Sequence, residues 1–225
     1  MSIIRGSRLK GLLEQHIINN NKGVNSIDPI NNKGKGCIFL CHGPPGTGKT
    51  LTAESVAEML KCPLRMLSVH ELGINIAFVW NAILLLDEAD IYFEKRDTVN
   101  LERNAMTCIF LRQLEYYQGI LFLTTNRVMT FDPAFCSRIS MFFHYPTLNL
   151  EEKAAIWKNF IKKAKLDLNS DDFVKHNLNG HEIHNIIHTA KLLAKNRKKS
   201  ITAKHVNQVI EVIQQFQKDI NELTY

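Results

Sequence analysis

Eight consecutive residues have the types and spacing needed to bind a chain of phosphates. Residues 43–50 read Gly-Pro-Pro-Gly-Thr-Gly-Lys-Thr, which fits the pattern G-x-x-x-x-G-K-[ST]. Glycines let several backbone N–H groups turn toward one anion, and the lysine adds a cation for it. The apolar run of residues 37–41 precedes this loop, and a helical pattern follows it. The order predicts a strand, a phosphate-binding loop and a helix.

Individual residues of this loop have distinct expected roles in binding the nucleotide. Lys49 is expected to reach the β- and γ-phosphates, and the Thr50 hydroxyl to hold Mg²⁺. A glycine-rich turn before an ordinary helix is the alternative, but the preceding strand and the Lys-Thr pair argue against it. The other expected nucleotide contacts are Gly43, Pro44, Pro45, Gly46, Thr47, Gly48 and, directly after the loop, Leu51.

Two adjacent carboxylates follow a second apolar segment. Residues 82–86 are strongly apolar, and Asp87 and Glu88 come next. A strand ending there delivers both acids to the phosphate end of a parallel sheet. Asp87 would bind the Mg²⁺ shell, and Glu88 would orient and deprotonate the attacking water. Since acids also cap helices after strands, the pair is informative only together with the loop.

A third apolar segment ends in a polar amide. Residues 120–124 lead through Thr125 into Asn126. An amide at this position can hydrogen-bond the attacking water or the γ-phosphate, although an isolated asparagine after a strand is most often a turn residue. Three polar strand ends together predict a nucleotide site.

The pattern of the chain changes at Pro146. Before it, apolar strands alternate with helical patterns, which predicts a parallel α/β sheet. After it only helical patterns occur, and Asn149 with Glu152 forms a capping box for the first of them. We predict an α/β domain over 1–147 and a small all-helical domain over 148–225. Helix 104–116 is predicted to carry Met106, Ile109, Phe110 and Leu114 on one face. The last helix, capped by Thr202, contains Val206, Val209, Ile210, Ile213 and Phe216.

Composition is that of an ordinary globular protein. The chain has 225 residues, 45% of them hydrophobic, and a net charge of +6. No apolar run approaches the ~18 residues of a membrane span. Four of the five cysteines lie in or beside apolar segments and none forms a C-x-x-C pair, so buried, reduced thiols are expected. We infer an intracellular, cytoplasmic location, with a nuclear or mitochondrial one left open. The basic run 195–199 suits a solvated helix end better than a nuclear signal or nucleic-acid patch.

The order of these motifs resembles that of the AAA+ ATPases. The loop, the acidic pair, the segment 124–126, the segment 131–139 and the helical part follow one another as in that family. The resemblance implies a P-loop NTPase sheet with a helical lid, and ATP and Mg²⁺ as cofactors. It also implies that the chain forms a homo-oligomer, in the form of a hexameric ring. The stretches most similar to a group of fungal AAA-type ATPases are 80–82, 101–105, 114–120 and 179–183.

The same resemblance assigns roles to two further residues. It makes Asn126 the sensor-1 residue. It makes Arg138 an arginine finger that reaches the γ-phosphate held by a neighbouring subunit. Without the resemblance, Arg138 would be interpreted as a solvated surface cation.

Two features depart from the family pattern. His184 stands where a second sensor arginine is often found, and His181 and His188 share its helical face. A zinc site there has no evident fourth ligand, so a weakened or absent sensor 2 is favoured. The link 70–81 is barely long enough for a parallel crossover, which indicates an absent or remodelled pore loop.

Three functions are therefore weighed. The leading one is a ring-forming ATPase that remodels an unidentified protein partner. A nucleotide-binding module without a motor is favoured by the short link and opposed by Glu88, Asn126 and Arg138. The Asp-Glu-Ala-Asp sequence of residues 87–90 invites a nucleic-acid motor. The chain is too short for two RecA-like domains, so nucleic acid is not the expected partner.

Overall fold

The computed structural model describes residues 36–67, 82–90, 101–117, 119–127, 133–196 and 200–223. In these ranges five parallel strands form one sheet in the order β2-β3-β4-β1-β5, which confirms the predicted α/β fold. The strands are β1 (Cys37–His42), β2 (Leu64–Met66), β3 (Ile83–Leu86), β4 (Ile120–Thr125) and β5 (Met141–His144). The helices around them are α1 (Lys49–Leu60), α2 (Leu101–Tyr116) and the short α3 (Pro133–Cys136).

Strand pairing brings the functional ends of the strands together. In β1, His42 lies opposite Thr125 of β4 and opposite His144 of β5. In β3, Leu86 lies opposite Leu123 of β4. Because all the strands run in the same direction, their carboxyl ends meet at one edge of the sheet, where ligands bind in such folds.

Apolar packing on both faces fixes the sheet. β3 and β4 are buried along their whole length, as expected for the central strands of a parallel sheet. On one face Phe39 stacks on Phe122 with ring centroids 5.1 Å apart. On the other face Phe110 of α2 meets Phe135 of α3 at 6.3 Å. Apolar side chains therefore cover both faces of the sheet.

The residues after Tyr145 form a second compact unit, which also includes Pro45–Thr47. Its capping box is confirmed: Glu152 N–H donates to Asn149 Oδ1 at 2.7 Å, and Asn149 N–H donates to Glu152 Oε2 at 3.1 Å. Trp157 is fully buried, with its ring 5.0 Å from that of Phe173. The elements of this unit are α4 (Leu150–Lys163), a 3-10 turn (Ser170–Asp172), α5 (Gly180–Asn196) and α6 (Ala203–Leu223).

The apolar residues identified on two helices are not all buried. On α2, Met106 and Ile109 are 43% and 52% exposed, whereas Phe110 and Leu114 are buried. On α6, Phe216 is 63% exposed. Both helices have apolar residues around more of their circumference than the core covers, so spacing alone does not show which of them face inward.

The expected burial of the cysteines is also partly wrong. All five are free thiols, but only Cys41 is fully buried, and Cys108 and Cys136 are exposed. No helix within the described ranges is long and apolar enough to cross a membrane. The link 70–81 lies outside the described residues, so the absent or remodelled pore loop stays a prediction.

Candidate functional site

Glycines shape the loop between β1 and α1. Gly43 and Gly48 have φ angles of 147° and 91°, a region in which a side chain is strained. A Cβ atom on Gly43 would also collide with the carbonyl group of Tyr145. Gly48 stands at the N-cap of α1 and makes no side-chain cap. The start of α1 therefore offers its N–H groups and its positive dipole end to an anion.

The Lys49 side chain is folded back over this loop. Its Nζ donates hydrogen bonds of 2.8 Å to the Gly43 carbonyl, 2.7 Å to the Pro44 carbonyl and 2.7 Å to Asn126 Oδ1. These acceptors match the three N–H groups of an ammonium. Lys49 is only 8% exposed, and its burial places a cation where the ends of β1 and β4 meet.

Two acidic residues compensate in part for this burial. Desolvation lowers the pKa of Lys49, while the carboxylates of Asp87 and Asp90 act in the opposite direction. The cation is thus embedded in a site that already contains negative charge. A phosphate chain with Mg²⁺ bound to it would enter as a partly neutralised anion.

Two hydroxyl groups hold the Asp87 carboxylate. Thr50 Oγ1 donates to its two oxygens over 3.2 and 3.3 Å, and Thr124 Oγ1 donates to Oδ1. A carboxylate and a threonine hydroxyl are hard oxygen ligands of the kind that Mg²⁺ takes beside substrate phosphates. Asp87 is only half-buried, which leaves room for water ligands. These residues fit Mg²⁺.

Glu88 follows with an unusual backbone conformation. Its φ is 52°, in the left-handed region that non-glycine residues rarely adopt, and its side chain is exposed. The Glu88 N–H donates to Thr124 Oγ1 at 3.1 Å, and the Ala89 N–H donates to the Thr124 carbonyl at 2.8 Å. Strand β4 therefore holds the turn that presents Glu88.

Arg138 belongs to a different group of contacts. Its Nη2 lies 3.6 Å from Glu115 Oε2, and its Nη1 donates to the Ala134 carbonyl at 2.7 Å. Its side chain is 26% exposed. Hydrogen bonds join the predicted site residues in two clusters, Lys49 with Asn126 and Thr50 with Asp87. Arg138 belongs to neither cluster and contacts α2 and α3 instead.

The central loop residues group with the helical unit. Within that unit, the Gly180 N–H donates to the Gly46 carbonyl at 3.0 Å, and Pro45 and Thr47 flank this contact. In the other unit, Leu51 is 61% exposed on α1, so its side chain is accessible to a ligand.

The three histidines of α5 form no evident metal site. His184 is exposed, with its ring 5.4 Å from Phe160 and 6.4 Å from His188. Among the described residues, no three His, Cys, Asp or Glu side chains are close enough to hold a metal ion. The zinc alternative for His181, His184 and His188 gains no support.

Sequence reasoning missed two residues of this region. Thr124 is 1% exposed and links Asp87 to Glu88 through its hydroxyl group. The sequence feature that could have identified it is a hydroxyl residue at the end of an otherwise apolar strand. The Tyr145 hydroxyl lies 2.6 Å from Thr52 Oγ1 and so ties the end of the sheet to α1. No feature of the sequence distinguishes Tyr145 from a core aromatic residue.

Comparison with known proteins agrees with this geometry. The family described as "ATPase family associated with various cellular activities (AAA)" matches residues 39–147. Residues 39–147 form an AAA-family ATPase core. The AAA core includes the glycine-rich loop, Asp87, Glu88, Asn126 and Arg138, and proteins with this core bind and hydrolyse ATP.

Several known proteins are similar in sequence to this chain. The chain is 29% identical over 154 residues to the ATPase family AAA domain-containing protein 3A homolog of Drosophila melanogaster, covering 60% of this chain and 26% of that protein. It is 28% identical over 195 residues to the ATP-dependent zinc metalloprotease FtsH of Karelsulcia muelleri, covering 73% and 31%. It is 27% identical over 157 residues to the outer mitochondrial transmembrane helix translocase of Bos taurus, covering 59% and 43%. The chain spans less than half the length of each.

Proposed function

We propose that this chain is a Mg²⁺-dependent ATPase motor whose subunits assemble into a ring and use hydrolysis to remodel a protein partner. One observation supports this most directly. The Lys49 ammonium lies between the loop carbonyls and Asn126. A cation held between the phosphate loop and a third strand end is positioned for the γ-phosphate, the group that hydrolysis removes.

Binding would exchange one set of acceptors for another. Lys49 would leave the neutral carbonyls of Gly43 and Pro44 for phosphate oxygens, since hydrogen bonds to charged acceptors are stronger. Thr50 and Asp87 would hold Mg²⁺, which supplies charge neutralisation across the β- and γ-phosphates. The exposed side chain of Leu51 would contact the nucleotide.

Turnover would need a base and a sensor beside the phosphate. Glu88 has an exposed carboxylate directly after Asp87, so it would orient the attacking water and accept its proton. Asn126 would report the γ-phosphate through the hydrogen bond that it now makes to Lys49. Charge that develops on the transferred phosphoryl group would still need another cation. Arg138 of a neighbouring subunit would supply it.

Two relatives give the proposal its partner class. One is named a translocase of transmembrane helices and another a metalloprotease, and both names denote action on polypeptides. A protein partner is therefore favoured over nucleic acid for this chain. The five free thiols favour a reducing, intracellular compartment.

The test is an ATPase assay over a wide range of protein concentration, with particle mass measured on the same samples by light scattering. We expect phosphate release that requires Mg²⁺ and is abolished by a chelator. We expect turnover per subunit to rise as the larger species forms, because the arginine finger is supplied across an interface.

Two other outcomes would count against the proposal in different ways. ATP binding without turnover at any protein concentration would support the alternative function, a nucleotide-binding module without a motor. Turnover that is independent of concentration in a monomeric protein would support the ATPase activity and contradict assembly into a ring.

A further inference from the structure

We propose that Thr124 is a positioning residue that sets Asp87 and Glu88 together, so that metal binding and water activation depend on one buried hydroxyl group. The inference rests on the proposed function, since it assumes that these two acids serve Mg²⁺ and the attacking water. It adds a residue that takes no direct part in binding ATP.

The first support is the hydrogen-bonding capacity of this hydroxyl. An ionised carboxylate can only accept hydrogen bonds, so Thr124 Oγ1 must donate its single proton to Asp87 Oδ1. Its lone pairs remain available, and one accepts the Glu88 N–H at 3.1 Å. The two bonds use opposite capacities of one oxygen, so each can persist while the other forms.

The second support is the environment of Thr124. The residue is 1% exposed, so water cannot replace the hydroxyl as the partner of Asp87 or of the Glu88 N–H. Its carbonyl also accepts the Ala89 N–H at 2.8 Å. Three consecutive residues after β3 are thus tied to one residue of β4.

The third support is the backbone of Glu88. A φ of 52° at a non-glycine residue costs free energy and persists only where the surroundings impose it. The bond from the Glu88 N–H to Thr124 is one such constraint. Without it, the turn can relax and carry the Glu88 carboxylate away from its position.

Thr50 and Thr124 would have different roles once Mg²⁺ is bound. Thr50 now donates to Asp87 over 3.2 and 3.3 Å, and as a metal ligand its hydroxyl would turn its oxygen toward the cation. Thr124 then remains as the hydroxyl that orients the Asp87 carboxylate. An outer-shell partner of this kind tunes a metal ligand without touching the metal.

The test uses Thr124→Val, which keeps the shape and removes the hydroxyl, in the full chain. ATP affinity is measured by calorimetry with Mg²⁺ and again with a chelator. We expect the gain in affinity due to Mg²⁺ to fall by about tenfold, the usual size for a lost hydrogen bond to a charged group. Affinity in the chelator should change by less than about twofold, because the contacts of Lys49 are untouched. The turnover number should fall as well.

Matched variants separate the hydroxyl from packing. Thr124→Ser and Thr124→Ala both lose the methyl group and differ only in the hydroxyl, so this pair decides the question even if Thr124→Val does not fold. Serine should retain the Mg²⁺ effect and alanine should lose it. Thr107→Val, at a buried threonine of α2, controls for the loss of a buried hydroxyl elsewhere.

Three results would overturn the inference. Thr124→Val with wild-type Mg²⁺ dependence and turnover would show that the hydroxyl does not position the acids. Serine as impaired as alanine would assign the effect to packing. A wild-type chain that binds no ATP would remove the proposed function itself, a failure that is visible before any variant is made.

Discussion

Lys49 Nζ donates a 2.7 Å hydrogen bond to Oδ1 of Asn126, a residue 77 positions away in the sequence. The bond joins the phosphate loop to the end of β4. An arriving phosphate must therefore compete with the Gly43 and Pro44 carbonyls for an ammonium that Asn126 also binds. An anion is favoured in that competition because it adds the attraction of a full opposite charge to a hydrogen bond whose donor is already ionised.

Lys49→Ala should therefore abolish measurable ATP binding. The variant removes the buried cation that meets the β- and γ-phosphates, and no water can supply a fixed positive charge in its place. Calorimetry with ATP and Mg²⁺ measures the effect. Lys158→Ala, at an exposed lysine of α4, is the control for loss of a positive charge and should bind as the wild type does. Unchanged affinity in Lys49→Ala would refute the loop assignment.

Glu88→Gln should keep nucleotide binding and slow turnover by roughly 10²-fold or more, the size expected for a lost general base. Glutamine preserves the volume and the turn, since the Glu88 N–H still donates to Thr124. Phosphate release and ATP affinity are measured on the same preparation. Glu58→Gln, at an exposed position on α1, is the matched control. Turnover at the wild-type rate would mean that another group accepts the proton.

Arg138→Ala should remove the rise of turnover with protein concentration and leave ATP binding intact. The loss of an arginine finger supplied in trans costs on the order of 10³-fold or more. Mixing Arg138→Ala with Glu88→Gln should restore part of the activity, because an Arg138→Ala subunit keeps its own Glu88 and can receive Arg138 from a Glu88→Gln neighbour. Specific activity that is flat with concentration and insensitive to the variant would show that hydrolysis occurs within one subunit.

The ion pair of Arg138 requires its own control. Arg138 Nη2 lies 3.6 Å from Glu115 Oε2, so Arg138→Ala also breaks this ion pair. Glu115→Gln breaks the same pair and retains the guanidinium. We expect this variant to keep the rise in turnover, which would separate the finger from the local structure.

Stability should fall as the pH drops below neutrality, and His42 should account for part of the change. Burial lowers the pKa of His42, and electrostatic interactions with His144 and Lys49 lower it further. The folded state therefore keeps His42 neutral while the unfolded chain takes up a proton near the ordinary pKa of 6.5. Below that pH the unfolded state binds more protons, so the free energy of unfolding decreases until the pH also passes the folded-state pKa.

Urea unfolding at several pH values between about 7.5 and 5 measures the slope of the free energy of unfolding against pH. Uptake of one proton limits this slope to about 1.4 kcal/mol per pH unit. His42→Gln should flatten it. His144→Gln removes one of the two side chains whose electrostatic interaction lowers the pKa of His42, and it should flatten the slope less, since burial is the larger cause. An identical slope in wild type and His42→Gln would contradict the assignment.

The sequence by itself determined the loop, the fold class and most strands. A loop such as 43–50 is recognisable because its chemistry is local, with glycines, lysine and threonine in consecutive positions. Strands buried on both faces are recognisable because they are continuously apolar, as β3 and β4 are. The capping box of Asn149 and Glu152 was predicted for the same reason, since both partners lie within one turn.

Only the tertiary structure decided which strand ends meet. Spacing assigns a side chain to a face of its own strand or helix, but the neighbouring element is chosen by packing over long distances in the sequence. The order β2-β3-β4-β1-β5 places β4 between β3 and β1, so Asn126 reaches Lys49 on one side and Thr124 reaches Asp87 on the other. The same dependence on packing explains why Met106 and Ile109 proved exposed, and why the part played by Thr124 became visible only with its neighbours in place.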